Sequence, residues 1–170
     1  MTPPPTPAQL DALAARVGAI LRERGWWLAT AESSTGGLIG QAITSAPGAS
    51  AYYVGGVICY SNRAKELQLD VPAELLRTNG AVSAEVAVAM AEGVRRRFGA
   101  EVGVAVTGIA GPDGATPDKP LGLHYVAADA PSGSPAVERH VFGYDRAGNR
   151  AAAALGALRL ALDRVSVAPR

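Results

Sequence analysis

Trp26-Trp27-Leu28-Ala29-Thr30-Ala31-Glu32-Ser33-Ser34-Thr35-Gly36-Gly37 opens on a short apolar run and closes on three hydroxyls and two glycines. The apolar part is of strand length and is bounded by Gly25 before it and by the turn after it. Past the turn a helix is predicted over residues 37–45, stopped at Pro47-Gly48. The stretch therefore reads as strand, tight turn and helix, and the rest of the chain extends that alternation.

Upstream, residues 8–24 place Leu10, Leu13, Val17 and Leu21 on one helical face, and Gly25 ends the helix. Downstream, residues 51–60 are rich in Val, Ile and Tyr and read as a strand, with Gly55-Gly56 marking a bulge or a close backbone approach. A short helix is predicted over 62–69 and another turn or two over 72–78. A longer helix follows, capped by Ser83 with Val86, Met90 and Val94 beneath it. Arg95, Arg96 and Arg97 fall at its carboxyl end, where they complement the helix dipole. Residues 102–107 form a buried strand that runs into a loop rich in glycine and proline. Residues 121–128 and 136–142 make a hairpin, and an alanine-rich helix starting at Asp145 or Ala147 runs to about residue 165. This order predicts an α/β fold, a three-layer α/β/α arrangement with a mixed sheet of about five strands. Residues 1–7 read as a flexible proline-rich leader, 8–165 as one domain and 166–170 as a tail.

With 170 residues, 48% of them hydrophobic, the chain can build one sizeable core. A net charge of +1 with interspersed signs provides no single-signed field for nucleic acid or an anionic membrane, so a small or neutral partner is expected. A single cysteine, Cys59, excludes an internal disulfide and fits a reducing compartment. Neither a signal peptide nor a run of membrane-spanning length is present in the sequence, which predicts a cytoplasmic protein. Of sixteen basic residues only Lys65 and Lys119 are lysine. A guanidinium cannot lose its proton near neutral pH and a desolvated lysine can, so a lysine retained amid so much arginine is a candidate for proton transfer; a chance survivor on a solvated face is the other reading.

Ser33, Ser34 and Thr35 stand between a buried strand and the first amides of a helix, which have no intrahelical acceptors and could serve as an oxyanion hole. The same hydroxyls also suit simple helix capping. His124 and His140 lie within predicted strands, away from the loop clusters, so a Ser-His-Asp triad and a histidine metal site are both unsupported. In Tyr60-Ser61-Asn62-Arg63-Ala64-Lys65 a strand gives way to a helix, bringing Tyr60 and Lys65 toward the strand end that carries Ser33. A Ser–Lys mechanism needs a neutral lysine, obtained by burial or by a nearby cation such as Arg63, with a tyrosine available as proton relay. Ser61, four residues before Lys65, is the competing nucleophile. Gly108, Gly111 and Gly114 imitate a dinucleotide fingerprint, but Pro112 and Pro117 interrupt the helix that fingerprint requires. This loop is either an ordinary tight turn or a cradle in which backbone amides and Thr107 hold a phosphate or sugar near Lys119, Arg146 or Arg150.

Ala31-Glu32-Ser33-Ser34-Thr35-Gly36-Gly37, Tyr60-Ser61-Asn62-Arg63-Ala64-Lys65, Thr107-Gly108-Ile109-Ala110-Gly111-Pro112 and Lys119-Pro120-Leu121-Gly122 together resemble the CinA carboxy-terminal domain family, the nicotinamide-nucleotide amidases, over residues 8–165. The resemblance implies deamidation of nicotinamide mononucleotide to nicotinate mononucleotide and ammonia, without metal or redox cofactor, by a homodimer or higher homo-oligomer. It implies Ser33 as nucleophile, aided by Tyr60 and Lys65. Ser34, Thr35, Gly36, Gly37, Asn62, Thr107, Gly108, Gly111, Arg146 and Arg150 would then contact the substrate. In the implied mechanism Lys65, relayed through Tyr60, takes the Ser33 proton, and amides near residues 35–37 hold the oxyanion. Ser34 departs from the cysteine usual in the family. The second, amino-terminal domain of many members, associated with ADP-ribose hydrolysis, has no counterpart expected before Ala8. The alternative is a non-catalytic nucleotide-binding or partner module of the competence and DNA-damage response.

Overall fold

The computed structural model describes residues 2–167. Its elements run α1 (Pro7–Arg24), β1 (Leu28–Glu32), α2 (Leu38–Ser45), β2 (Tyr53–Ile58), α3 (Asn62–Leu69), α4 (Ala73–Asn79), α5 (Ala84–Phe98), β3 (Val102–Gly108), β4 (Leu123–Ala130), β5 (Gly133–Val141) and α6 (Arg146–Ser166). The strands form one sheet in the order β2-β1-β3-β4-β5. β1 pairs in parallel with both β2 and β3, while β3–β4 and β4–β5 are antiparallel, so the sheet is mixed as expected.

Every residue of β1 is buried, which accounts for a continuous apolar run where a half-exposed strand would alternate. Its side chains feed two cores. Leu28 joins Val104, Val106 and Val126 under α1, α2 and α6, while Ala29 and Ala31 join Ala105 and Ala127 under α3, α4 and α5. Because α2 and α5 cover opposite faces, the chain reverses its winding at β1, and a crevice opens at the carboxyl end of that strand. One glycine makes the second face possible: a methyl group on Gly103 would collide with the Ala91 carbonyl of α5, so its absence lets helix and sheet approach.

The helix ends follow local chemistry. Thr6 accepts from the Gln9 amide while the Gln9 side chain accepts from the Thr6 amide, a reciprocal cap that starts α1 at Pro7, one residue before the predicted position. Ser83 and Asp145 cap α5 and α6 through the amides of Val86 and Gly148. Pro4 of the leader lies at Gly148, where an added Cβ would stand 3.0 Å from it. Of the predicted tail, Ser166 is the last residue of α6, and residues 168–170 lie outside those described, as does Met1 of the leader.

His124 and His140 face each other across β4 and β5. His124 is fully buried, its Nδ1 donates to the Gly122 carbonyl at 2.9 Å, and its Nε2 has no partner among the described residues. Burial pushes its pKa down from 6.5, with the Gly122 carbonyl partly opposing and His140 adding to the shift. Below 6.5 the unfolded chain thus binds a proton that the native imidazole resists, and stability falls as pH falls. Urea unfolding of the wild type is expected to weaken between pH 6.5 and 5 by up to roughly 1.4 kcal/mol per pH unit more than in His124→Asn, which retains a donor for Gly122 but does not titrate.

Candidate active site

The crevice is organised by Glu32, the last residue of β1, whose carboxylate is 2% exposed. Its Oε2 accepts from the Thr35 hydroxyl at 2.7 Å and from the amides of Gly37 at 2.9 Å and Ile39 at 3.1 Å. Its Oε1 accepts from the Gly40 amide at 2.8 Å. A buried carboxylate is tolerable only when hydrogen-bonded, and here the open end of α2 supplies most of the donors together with the favourable end of its dipole. Gly36 and Gly37, at φ 61° and 103°, let the chain turn tightly enough to bring those amides back to Glu32.

This corrects the expected oxyanion hole. The Gly37 amide is held by Glu32, and the Gly36 amide donates to the Ser33 carbonyl at 3.2 Å. The amides of Ser34 and Thr35 donate to no protein group among the described residues. Sequence reasoning passed over Glu32, although an acid at the end of an otherwise apolar strand, five residues before a helix, is a visible demand for donors.

Ser33 continues the strand by donating its amide to the Val106 carbonyl at 3.0 Å, and by alternation its side chain emerges on the α3 side of the sheet. There Lys65 Nζ lies 3.0 Å from Ser33 Oγ. Lys65 is 1% exposed, and its other two contacts are the carbonyls of Cys59 at 2.8 Å and Tyr60 at 3.3 Å. Desolvation pulls its pKa below 10.5, a shift that the Cys59 thiol only partly opposes. No carboxylate pairs with it among the described residues. A neutral amine has two hydrogens and one lone pair: the two carbonyls take the hydrogens, and the lone pair is left facing the Ser33 hydroxyl. The ammonium form could instead satisfy all three acceptors, so the site accommodates the proton before and after transfer.

The contact between Ser33 and Lys65 is direct, which corrects the expected tyrosine relay. Tyr60 presents its backbone carbonyl to Lys65, while its side chain is 65% exposed and its phenol accepts from Arg146 Nη2 at 3.4 Å. A residue at the end of β2 could be assigned to this edge from sequence, but not the direction of its ring. The Ser61 hydroxyl caps α3 by accepting from the Ala64 amide at 3.1 Å, so the lysine pairs with Ser33 and not with Ser61. Asn62 and Arg63, the first residues of α3, are exposed.

The first two arginines of α6 divide their roles. Arg150 donates through Nε to the Ser34 carbonyl at 3.1 Å and through Nη2 to the Thr35 carbonyl at 2.8 Å, which fixes that turn. Arg146 is exposed, rests one nitrogen on the Gly111 carbonyl at 2.6 Å, and borders a cleft of about 600 Å³ with Gly111, Leu121, Tyr144 and Arg150. Asn149, unremarked in the sequence, braces the same loop: its amide donates to the Ala110 carbonyl and its oxygen accepts from the Tyr144 amide, both at 3.0 Å. Thr107 is buried and donates its hydroxyl to the Ala81 carbonyl at 2.7 Å, and Gly108 pairs with His124 in the sheet. Lys119 reaches the Asn79 carbonyl at 2.7 Å and ties the loop after β3 to the end of α4. Among the described residues no cluster of His, Cys, Asp and Glu could hold a metal ion, and no helix is long and apolar enough to cross a membrane.

Similar proteins carry this fold. The "CinA-like protein" of Parasynechococcus marenigrum is 51% identical over 155 residues, covering 91% of this chain and 36% of its own length. That of Anaeromyxobacter sp. is 52% identical over 154 residues, covering 89% and 38%. The chain thus spans about a third of the length of these relatives. The crystal structure of the competence/damage inducible protein CihA from Agrobacterium tumefaciens superimposes with a TM-score of 0.88 at 39% identity, covering 96% of this chain and 99% of that one. The competence damage-inducible protein A from Klebsiella pneumoniae gives 0.88 at 34% identity, with 92% and 97% covered. The model of the CinA C-terminal domain matches residues 10–165, a span from α1 to the end of α6 that includes every element of the crevice, and the chain belongs to that family.

Proposed function

We propose that the crevice hydrolyses the carboxamide of nicotinamide mononucleotide, yielding nicotinate mononucleotide and ammonia, with Ser33 as nucleophile and Lys65 as base. The observation that carries this reading is the buried Lys65 amine, 3.0 Å from Ser33 Oγ, with its other contacts limited to two carbonyls. Lys65 accepts the Ser33 proton as Oγ bonds to the carboxamide carbon, and the amides of Ser34 and Thr35 receive the developing oxyanion. The Lys65 ammonium then protonates the amide nitrogen, the C–N bond breaks, and ammonia leaves an acyl ester on Ser33. Water, deprotonated by Lys65, attacks that ester, and Lys65 returns the proton to Ser33 Oγ as the carboxylate departs. Arg146, exposed on the cleft and bonded only to the Gly111 carbonyl and, at 3.4 Å, to the Tyr60 phenol, supplies charge for the phosphate, while Arg150 on the same cleft holds the turn through Nε and Nη2.

Ammonia release from nicotinamide mononucleotide is expected in the wild type and reduced at least ~10³-fold in Ser33→Ala. In Lys65→Arg, which keeps the charge but cannot deprotonate, a loss of about 10²- to 10⁴-fold is expected. The wild-type kcat/KM should rise with pH and level off above the Lys65 pKa, which lies below 10.5, because only the neutral amine accepts the Ser33 proton. Substrate binding without ammonia release would instead identify a binding module.

Arg146→Ala is expected to raise KM for the mononucleotide about 10- to 100-fold while leaving KM for nicotinamide riboside, which lacks the phosphate, within about threefold. Equal losses on the two compounds would remove Arg146 from phosphate binding.

A further inference from the structure

We infer that Glu32 is a positioning residue for this reaction: its buried carboxylate holds the turn that aims the nucleophile and the two free amides at the scissile carbonyl. The inference rests on the amidase reading above. Four donors converge on the carboxylate from Thr35, Gly37, Ile39 and Gly40, which fixes the chain on the far side of Ser33 and Ser34. On the near side Ser33 is fixed by its amide bond to Val106. The four-residue turn between these anchors has no freedom to swing the Ser34 and Thr35 amides without breaking bonds to Glu32. Arg150 closes the arrangement from outside by holding the Ser34 carbonyl, which shares a peptide plane with the Thr35 amide, while the Ser33 carbonyl, which shares one with the Ser34 amide, accepts from the Gly36 amide.

Glu32 also reaches the base. Its backbone carbonyl accepts from the Cys59 amide at 2.9 Å, and the Cys59 carbonyl receives Lys65 Nζ at 2.8 Å. One residue thus sets the oxyanion donors through its side chain and the lysine through its backbone. Only the first is open to side-chain substitution. The carboxylate form is required because both oxygens accept: a glutamine would turn its NH2 toward the Gly40 amide or toward the cluster formed by Thr35, Gly37 and Ile39, setting donor against donor. The Glu32 carboxylate makes no contact with Lys65 or Ser33, so its loss should misalign the transition state without changing the base.

The test uses the full chain with Glu32→Gln and Thr35→Val, the second removing a single donor from the carboxylate. For ammonia release from nicotinamide mononucleotide, Glu32→Gln is expected to lower kcat about 100-fold with KM within about threefold, as for loss of an oxyanion donor. Thr35→Val is expected to lower kcat by roughly 10-fold, and the acid limb of the pH profile should stay at the wild-type position in both. Unchanged kcat in either variant, a fall in kcat that merely tracks the unfolded fraction seen by thermal melting, or a displaced acid limb overturns the assignment. Should Glu32→Gln fail to fold, Thr35→Val decides alone. If the wild type releases no ammonia, the amidase reading fails by itself, and the amide resonances of Ser34 and Thr35 then test the positioning role. Their displacement in the variants supports it, and unmoved resonances refute it.

Discussion

An ionised carboxylate at the end of a strand buried on both faces has to find donors within a few ångströms, and for Glu32 the chain provides them by folding its next eight residues back over the strand. The demand is severe enough to dictate local structure. Gly36 and Gly37 take left-handed conformations, α2 starts where its amides meet the carboxylate, and Ser33 and Ser34 are left as the short span between strand and helix. The helix end that would otherwise expose amides is consumed by the protein itself. The location of the crevice follows from topology, whereas its chemistry follows from this one anion.

The second buried ionisable group is handled in the opposite way. Glu32 collects hydrogen bonds from four donors; Lys65 is given two carbonyls and a hydroxyl but no anion, and its proton is correspondingly easy to lose. The two groups lie on opposite faces of the same sheet edge. The backbone bond from the Cys59 amide to the Glu32 carbonyl links them, while the β1 backbone keeps the carboxylate from neutralising the lysine directly. A short path between Glu32 and Lys65 would have produced an ordinary ion pair and a lysine locked in its charged form.

The sequence carried much of this. β1 was readable because a parallel strand covered on both faces carries a mostly apolar run, and α5 because Ser83 marks its start. The preference for Lys65 over a histidine base came from composition and from its place after Tyr60, and the structure sets that lysine against Ser33. Of the amides at residues 35–37, those of Gly36 and Gly37 are engaged by the protein, which the sequence reading missed because a helix start was treated as unpartnered although Glu32 stood next to it. The directions of the Tyr60 and Arg150 side chains are not encoded in local pattern: both residues lie at the crevice, but one turns its ring to solvent and the other holds two carbonyls through Nε and Nη2.

The fastening of α6 to the crevice has a bearing on how such a site can change over time. Arg146, Asn149 and Arg150 grip the loops at Gly111, Ala110, Ser34 and Thr35 through backbone carbonyls. Recognition of a carbonyl is blind to the side chain beside it, so mutation at those loop positions can drift without loosening the clamp, while the helix residues that form the grip cannot. Ser34 shows the latitude this leaves: its hydroxyl is buried and has no partner among the described residues, which is costly for oxygen and less so for sulfur. Immediately beside Ser33 there is therefore a site where selection can exchange one small side chain for another without disturbing the backbone of the turn.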